Sequence, residues 1–384
     1  MKIKTQFLED SLIYIILILI LIGLLLIGSI DSFQFKSRNI VFQTFWIFVS
    51  ILFFFLFSHI HLQRLRAFSF PFLLFGMFLL GVVFVPGIGK TVNYSTRWIN
   101  LGKFTFQASN LAKVIFIFYM AHFLAKNQDR VEWSEPRYFI KNFFPVIFAL
   151  GIYVGLIYFE PDLSTAGILF LVFVSLLFVA KVKLSTIALI FATVLVVLVI
   201  LVSVGPGYRR ARYVSFVKFL ADKDVQIEQN DDTFFQPRES LIALSNGKLT
   251  GRGSEEGKAK LYYLPFAHSD YIFSILGEEY GFAGSVLILI LYVLLLVASF
   301  TLAQRAHDPF YSFLIAGLGF GIAYNIIVNV AVAISLIPST GVTLPFISYG
   351  GSALLIDSIA VAMIVNASKR DRYERMEERE FQYA

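Results

Sequence analysis

Apolar runs long enough to cross a bilayer recur along most of this chain, and they decide what it can fold into. A helix needs about 20 apolar residues to span the hydrocarbon core. Such runs fall at about 11–30, 41–61, 68–88, 105–126, 143–159, 163–181, 184–204, 284–303, 311–337 and 350–368. Of the 384 residues, 58% are hydrophobic and 15% charged, where a soluble domain carries about a quarter charged. A barrel would show short alternating segments instead. The expectation is an all-α polytopic membrane protein. It has about ten transmembrane helices and one long extracytoplasmic loop, about 205–283, before the eighth. All 384 residues form one membrane domain, with a mixed-charge, helix-prone tail from about 369 to 384 that reads as a solvated extension with a basic start at the lipid surface, or as a cytoplasmic docking segment. The first run is too long for a cleaved signal peptide and lacks a small-residue cleavage site.

An even number of spans puts both ends on one side, and the basic residues say which. One set of short connections holds Lys2, Lys4, Arg64, Arg66, Lys126, Arg130, Arg137, Lys141, Lys181, Lys183, Arg305 and the run from Lys369 to Arg379. The other set, the long loop aside, holds Lys36, Arg38, Lys90, Arg97 and Lys103. Both termini are therefore expected in the cytoplasm. The net charge of +6 follows from this asymmetry and gives no reason to invoke nucleic acid. With no cysteine in the chain, disulfides, thiol catalysis and thiolate metal sites are excluded. No phosphate-cradling glycine motif of a nucleotide or dinucleotide site is present, nor an HExxH.

Polar and ionisable residues gather on the face expected outside. Ionisable groups at membrane depth are costly and mark functional sites. Asp270, in Ala267-His268-Ser269-Asp270-Tyr271, is the candidate for the chemistry; the Glu278-Glu279 pair after it reads as a second carboxylate or as a helix N-terminal charge pair. The stretch from Asn93 to Gly102 reads as an interfacial turn with Trp98 as anchor, or as a phosphate site built on Arg97. Lys113, two turns into the fourth span, either snorkels outward or holds an anion in a cavity. In Glu160-Pro161-Asp162-Leu163-Ser164, Asp162 or Ser164 can cap the next helix, and a carboxylate there could also order a cavity wall. Arg209, Arg210 and Arg212 form a basic patch suited to a lipid-linked phosphate. Phe235 to Leu244, which contains Gln236, reads as a short amphipathic helix in the interface. Gly247, Gly251, Gly253 and Gly257 then keep the backbone open for a ligand. Pro338 to Ser352, with Ser348, is an irregular turn at the mouth of a helix, and Asn325 and Asn329 stand one turn apart in the preceding span.

Five motifs in order carry a resemblance: Arg97-Trp98, Gln107-x-Ser109-x-x-x-Lys113, Pro161-Asp162-Leu163-x-Thr165-Ala166, His268-x-Asp270, and Leu344-Pro345-Phe346-x-Ser348-Tyr349-Gly350-Gly351-Ser352. The chain resembles the SEDS family of membrane proteins (shape, elongation, division and sporulation), the FtsW/RodA/SpoVE group, over nearly its whole length. Ser240-Leu241-Ile242-Ala243-Leu244 and Lys260 to Pro265 are more similar to the division-type branch. Asn110 stands where the family usually has Glu, Ser269 replaces a Thr, Glu160 and Asn325 replace Gln, and Ala353 replaces Ser.

The resemblance implies a peptidoglycan glycosyltransferase that polymerises lipid II outside the bacterial cytoplasmic membrane, in division or elongation. It implies Asp270 as catalytic residue. It also implies Arg97, Lys113, Asp162, Gln236, His268, Ser348, Ser352 and the Arg209, Arg210, Arg212 patch as substrate-binding residues. The implied partners are lipid II and the growing glycan strand, a class B penicillin-binding transpeptidase, and other divisome or elongasome membrane proteins. No cofactor is demanded, and a divalent cation stays open. Two other readings compete: a lipid II flippase and a non-catalytic scaffold for cell-wall enzymes. A transporter should offer polar groups along the whole path, often with an inverted repeat, and a scaffold has no need of so many ionisable groups on one face.

Overall fold

The computed structural model describes residues 4–33, 38–92, 95–102, 104–128, 136–204, 216–217, 232–254, 257 and 268–383. Helices dominate: α1 (Thr5–Phe33), α2 (Arg38–His59), α3 (Leu62–Arg66), α4 (Ser69–Val82), α5 (Ala108–Lys126), α6 (Pro136–Phe159), α7 (Leu163–Val179), α8 (Leu184–Val204), α9 (Asp232–Gly247), α10 (Ile272–Arg305), α11 (Pro309–Ala333) and α12 (Gly351–Tyr383). Seven of them, α1, α2, α5, α6, α10, α11 and α12, are long and apolar enough to cross a membrane. Three apolar helices, α4, α7 and the first part of α8, are shorter. The protein is an integral membrane protein of polytopic helical architecture.

Burial sorts the helices into centre and rim. The apolar stretch of α12 is 94% buried and that of α2 17%, so α12 is the axis of the bundle and α2 faces lipid. The exposed face of α2 carries Phe48, Leu52 and Phe55. Around α12 pack α2, α11, α1 and α5, and α10 packs on both α11 and α1. Helix entries follow local chemistry. Pro309 opens α11, where no N–H partner would exist in any case, and the carboxylate of Asp308 accepts the Phe310 N–H at 2.8 Å.

Four features depart from the sequence expectations. First, the stretch around Arg97 is a small antiparallel sheet, not a turn: β1 (Gly89–Val92), β2 (Ser95–Leu101) and β3 (Phe104–Gln107), in that spatial order. Its alternation was hidden by its shortness and by flanking apolar runs.

Second, α10 begins at Ile272 rather than near 284, because it is broken at Gly281 (φ 68°, ψ −167°). The segment before the break is a short buried helix. Glu278 and Glu279 are buried at its end rather than forming an exposed N-terminal pair, and Ser29 donates to Glu279 Oε1 at 2.8 Å.

Third, Gly247 and Gly251 receive protein backbone, whereas a Cβ on Gly253 would meet open space. A Cβ on Gly247 would strike the Gly277 carbonyl, and one on Gly251 (φ +85°) would strike Glu279. Arg252 and Gly253 N–H groups donate to the Glu278 and Glu279 carbonyls, and Phe282 and Ala283 N–H groups donate to the Lys248 and Leu249 carbonyls. This ladder takes up the backbone groups that the break in α10 leaves without helical partners.

Fourth, the start of the C-terminal tail is docked, not solvated. Asp371 accepts the N–H groups of His307 (2.6 Å) and Asp308 (2.9 Å), Arg375 donates to Asp371 and to the Arg305 carbonyl, and Arg372 pairs with buried Glu9 at 3.2 Å.

Candidate active site

The loop ends of β2, α5, α7, α10, α11 and α12 converge at one end of the bundle, the end assigned to the outside by the basic residues. Asp162 is the junction. It caps α7 by accepting the Thr165 N–H (3.2 Å) and hydroxyl (2.9 Å), so the capping expectation for this motif holds. The same carboxylate accepts Gln107 Nε2 (3.1 Å) and faces Arg97 Nη1 at 3.7 Å. Its 2% exposure means these partners surround it on all sides. Gln107 is where β3 runs into α5, and Trp98 lies opposite it in the sheet. That register carries the adjacent Arg97 to Asp162.

Arg97 also packs on Gly341. This residue has φ +78°, and a Cβ there would come within 2.6 Å of the guanidinium. Only glycine tolerates that combination of backbone and contact. Among the described residues Arg97 Nε, Thr340 Oγ1 and Asn329 Oδ1 are buried without a hydrogen-bond partner, all around this turn. Buried polar atoms are ordinarily satisfied, so such a cluster marks a place built for a further polar group.

Lys113 does not snorkel. It is 5% exposed and donates to Asn325 Oδ1 at 3.1 Å. Asn329, one turn further along α11, donates to the Asp270 carbonyl (3.0 Å) and the Val342 carbonyl (2.8 Å). The two asparagines thus tie Lys113 and the Asp270 backbone to one helix face.

The His268-Ser269-Asp270 segment is held along its length. Tyr349 N–H donates to the His268 carbonyl at 2.8 Å, and the two rings meet edge-on at 5.3 Å. Ser348 hydroxyl donates to the Ser269 carbonyl (2.7 Å) while accepting the Leu344 N–H (2.8 Å). Pro345 is pinned through its carbonyl by Tyr292 hydroxyl at 2.5 Å. Asp270 itself is partly exposed. The backbone is thus fixed at three successive residues, which limits where the Asp270 carboxylate can reach.

Of the remaining candidates, Ser352 accepts the Gln107 N–H at 3.4 Å, which ties α12 to α5. Gln236 is on α9, partly buried. Ser240 of α9 donates to the Ala333 carbonyl at 2.6 Å, so α9 is anchored to the end of α11. Its Leu241 and Ile242 stay exposed, as an interfacial helix requires. Arg209, Arg210 and Arg212 lie outside the described residues, as does the Tyr262 to Pro265 stretch. Among the described residues no group of three or more His, Cys, Asp or Glu side chains could hold a metal ion.

Two buried polar residues had gone unremarked. Gln43 of α2 donates to the Ser348 carbonyl and accepts the Gly350 N–H, both at 3.4 Å. Asp357 of α12 is 8% exposed. Neither belongs to a motif. The one signal for Asp357 was an ionisable side chain inside an apolar span.

Comparison with known proteins identifies the family. The model of the FtsW/RodA/SpoVE family, described as "Cell cycle protein", matches residues 9–373. A "Probable peptidoglycan glycosyltransferase FtsW" from Geobacter sp. (strain M18) is 38% identical over 314 residues, covering 82% of each chain. One of the same name from Wigglesworthia glossinidia brevipalpis is 33% identical over 95% of each chain. Two solved structures share the fold at 23% identity. One is a chain of a peptidoglycan synthase complex coordinating polymerization and crosslinking (TM-score 0.76, covering 94% of this chain and 97% of that one). The other is the rod shape determining protein RodA of Thermus thermophilus (TM-score 0.68, covering 94% and 96%). The apolar helices, the ordered motifs and the matched length together place the chain: it belongs to the FtsW/RodA/SpoVE family of membrane proteins.

Proposed function

We propose that this protein is a peptidoglycan glycosyltransferase of the division type. It polymerises lipid II on the outer side of the bacterial cytoplasmic membrane, with both termini in the cytoplasm. The single observation that carries the reading is the arrangement at this end of the bundle. The Asp270 backbone and the buried cation Lys113 are tied to one face of α11 by Asn329 and Asn325, beside a second cation, Arg97, with unsatisfied donor capacity. The names of the relatives supply the substrate class.

In this mechanism the Asp270 carboxylate takes the proton from the C4 hydroxyl of the acceptor N-acetylglucosamine. That oxygen attacks C1 of the donor N-acetylmuramic acid and inverts α to β. The C1–oxygen bond to the lipid breaks, and undecaprenyl diphosphate leaves with its electron pair. The leaving group needs charge stabilisation rather than protonation, so a second carboxylate is not required. Arg97, Lys113 and the Arg209, Arg210, Arg212 patch bind the diphosphate. His268 and Gln236 contact sugar. Asp162, Ser348 and Ser352, enclosed by protein partners, act on substrate by holding Arg97, the Asp270 segment and the start of α5 in place. A class B penicillin-binding transpeptidase is the partner.

Purified protein, alone and with its transpeptidase, is assayed on labelled lipid II beside Asp270→Asn. Glycan ladders are expected with wild type and a loss of at least about 100-fold in the variant, with unchanged thermal unfolding. Ladders of equal yield from the two would remove Asp270 as the base. Lipid II crossing liposomes without any ladder would move the reading to a flippase. The same assay with EDTA reads a divalent-cation requirement.

A further inference from the structure

A buried ammonium needs a negative partner, and Lys113 does not find one on its own helix. Asn110, one turn before it, is uncharged and donates to Gln107 Oε1 at 3.1 Å. The Asn325 amide oxygen that Lys113 meets is a dipole, not a charge. Two carboxylates act electrostatically on Lys113: Asp357 and Asp162. Asp162 is already engaged by Arg97, Gln107 and Thr165. Asp357 remains.

The geometry places Asp357 at the depth of Lys113. Helices α5 and α12 enter the bundle from the same end and pack against each other, pinned together by the Gln107 N–H to Ser352 hydroxyl bond. At about 1.5 Å per residue, the run from 107 to 113 descends about 9 Å and the run from 352 to 357 about 8 Å. Both side chains are withdrawn from solvent, at 5% and 8% exposure. A lone carboxylate in the most buried helix of the bundle is costly, and so is a lone ammonium beside it; each removes the penalty of the other.

We propose that Asp357 is the fixed counter-charge of Lys113, a positioning residue that keeps the ammonium charged and aimed at the incoming anionic leaving group. The pair does not depend on what the substrate is. Its role toward a diphosphate rests on the glycosyltransferase reading. The carboxylate supplied from α12 does the work that one at position 110 would do from the lysine's own helix, three residues away on the same face.

The test is a thermal-unfolding cycle on full-length protein in detergent, with no lipid II present. Asp357→Leu and Lys113→Met each leave one buried charge alone and are expected to lower Tm by about 5 °C. The double variant removes both charges and is expected to recover most of that loss. In the Asp357→Asn background, Asn110→Glu is expected to restore Tm by returning a carboxylate next to Lys113. Additive losses in the double variant, or no rescue by Asn110→Glu, would overturn the pair. Unfolding of every variant altered at 357, rescue included, would also overturn it, since the position would then serve packing rather than charge.

A polymerisation arm reads the functional half. Asp357→Asn is expected to raise KM for lipid II about tenfold with kcat less affected, and Asn110→Glu to reverse it. An inactive wild type with an intact unfolding cycle would sink the glycosyltransferase reading and leave the pair standing. An active wild type with additive unfolding losses would sink the pair alone.

Discussion

At the residue scale, the candidate site is made of side chains whose roles depend on what surrounds them. Glu160 shows this most directly. It is wholly buried in the turn between α6 and α7, next to Asp162. Burial first, and the Asp162 charge second, push its carboxyl from 4.5 up to about 9, with Arg97 pulling the other way. Glu160 therefore keeps its proton at pH 7, which makes it a near-isostere of Gln. A carboxyl that holds its proton more tightly folded than unfolded contributes a stabilisation complete below about pH 4.5. That contribution is lost as pH rises through about 9. Wild-type Tm is expected to fall across this window, and Glu160→Gln to flatten the fall while keeping activity at pH 7. Parallel Tm–pH curves for the two proteins would show that Glu160 is ionised in the fold. Asn329 is the second case. It spans the Asp270 and Val342 carbonyls, and Asn329→Ala leaves both without that donor at a cost of about 2 kcal/mol. Lower stability together with a loss of polymerisation is the expected result. Full polymerisation activity in a destabilised variant would separate the asparagine from the chemistry.

At the scale of elements, the site depends on places where regular structure stops. Asp270 stands just before a helix that itself breaks at Gly281, and the backbone after α9 fills that break with four main-chain hydrogen bonds. Gly281 has φ 68°, and a Cβ on it would meet the Gly251 N and the Leu249 carbonyl. Gly281→Ala therefore combines a left-handed backbone, costing about 1 kcal/mol or more, with a clash that pushes α9 away from α10. The expected outcome is faster proteolysis of the segment from 232 to 254 together with reduced activity, read by limited digestion. Equal digestion rates would mean that the two segments are held together by something other than this ladder. The small sheet serves a similar end: a strand pair delivers Arg97 to Asp162 and Gly341 with a register that a loop of the same length would not impose.

At the scale of the molecule, polar work is concentrated at the Asp270 end of the bundle, while the other end is tied by Glu9, Asp308, Asp371, Arg372 and Arg375. That second cluster locks α12, the axis of the bundle, to α1 and to the α10–α11 connection, so the floor beneath the site is braced. The absence of cysteine makes orientation easy to measure. A single cysteine at Ser254→Cys is expected to react with a membrane-impermeant maleimide on intact spheroplasts, and one at Glu377→Cys only after permeabilisation. The reverse pattern would invert the topology and place the site on the cytoplasmic side.

What the sequence determined by itself was the class of fold, the approximate positions of the apolar helices and a set of candidate residues for the chemistry. Those depend on local composition: a bilayer accepts only long apolar helices, and it tolerates ionisable groups only where they have a use. Asp162 as a helix cap and the polar cluster around Asp270 were legible for that reason. What only the tertiary structure decided was how these residues combine. Lys113 could have snorkelled, the stretch around Arg97 could have been an interfacial turn anchored by Trp98, and Gly247 and Gly251 could have faced a ligand. Each outcome was settled by partners far away in sequence: Asn325, Asp162 and Gly341, and the broken backbone of α10. Asp357 was the least legible of all. It sits in no motif, and its significance comes entirely from which helix packs beside α12 and at what depth.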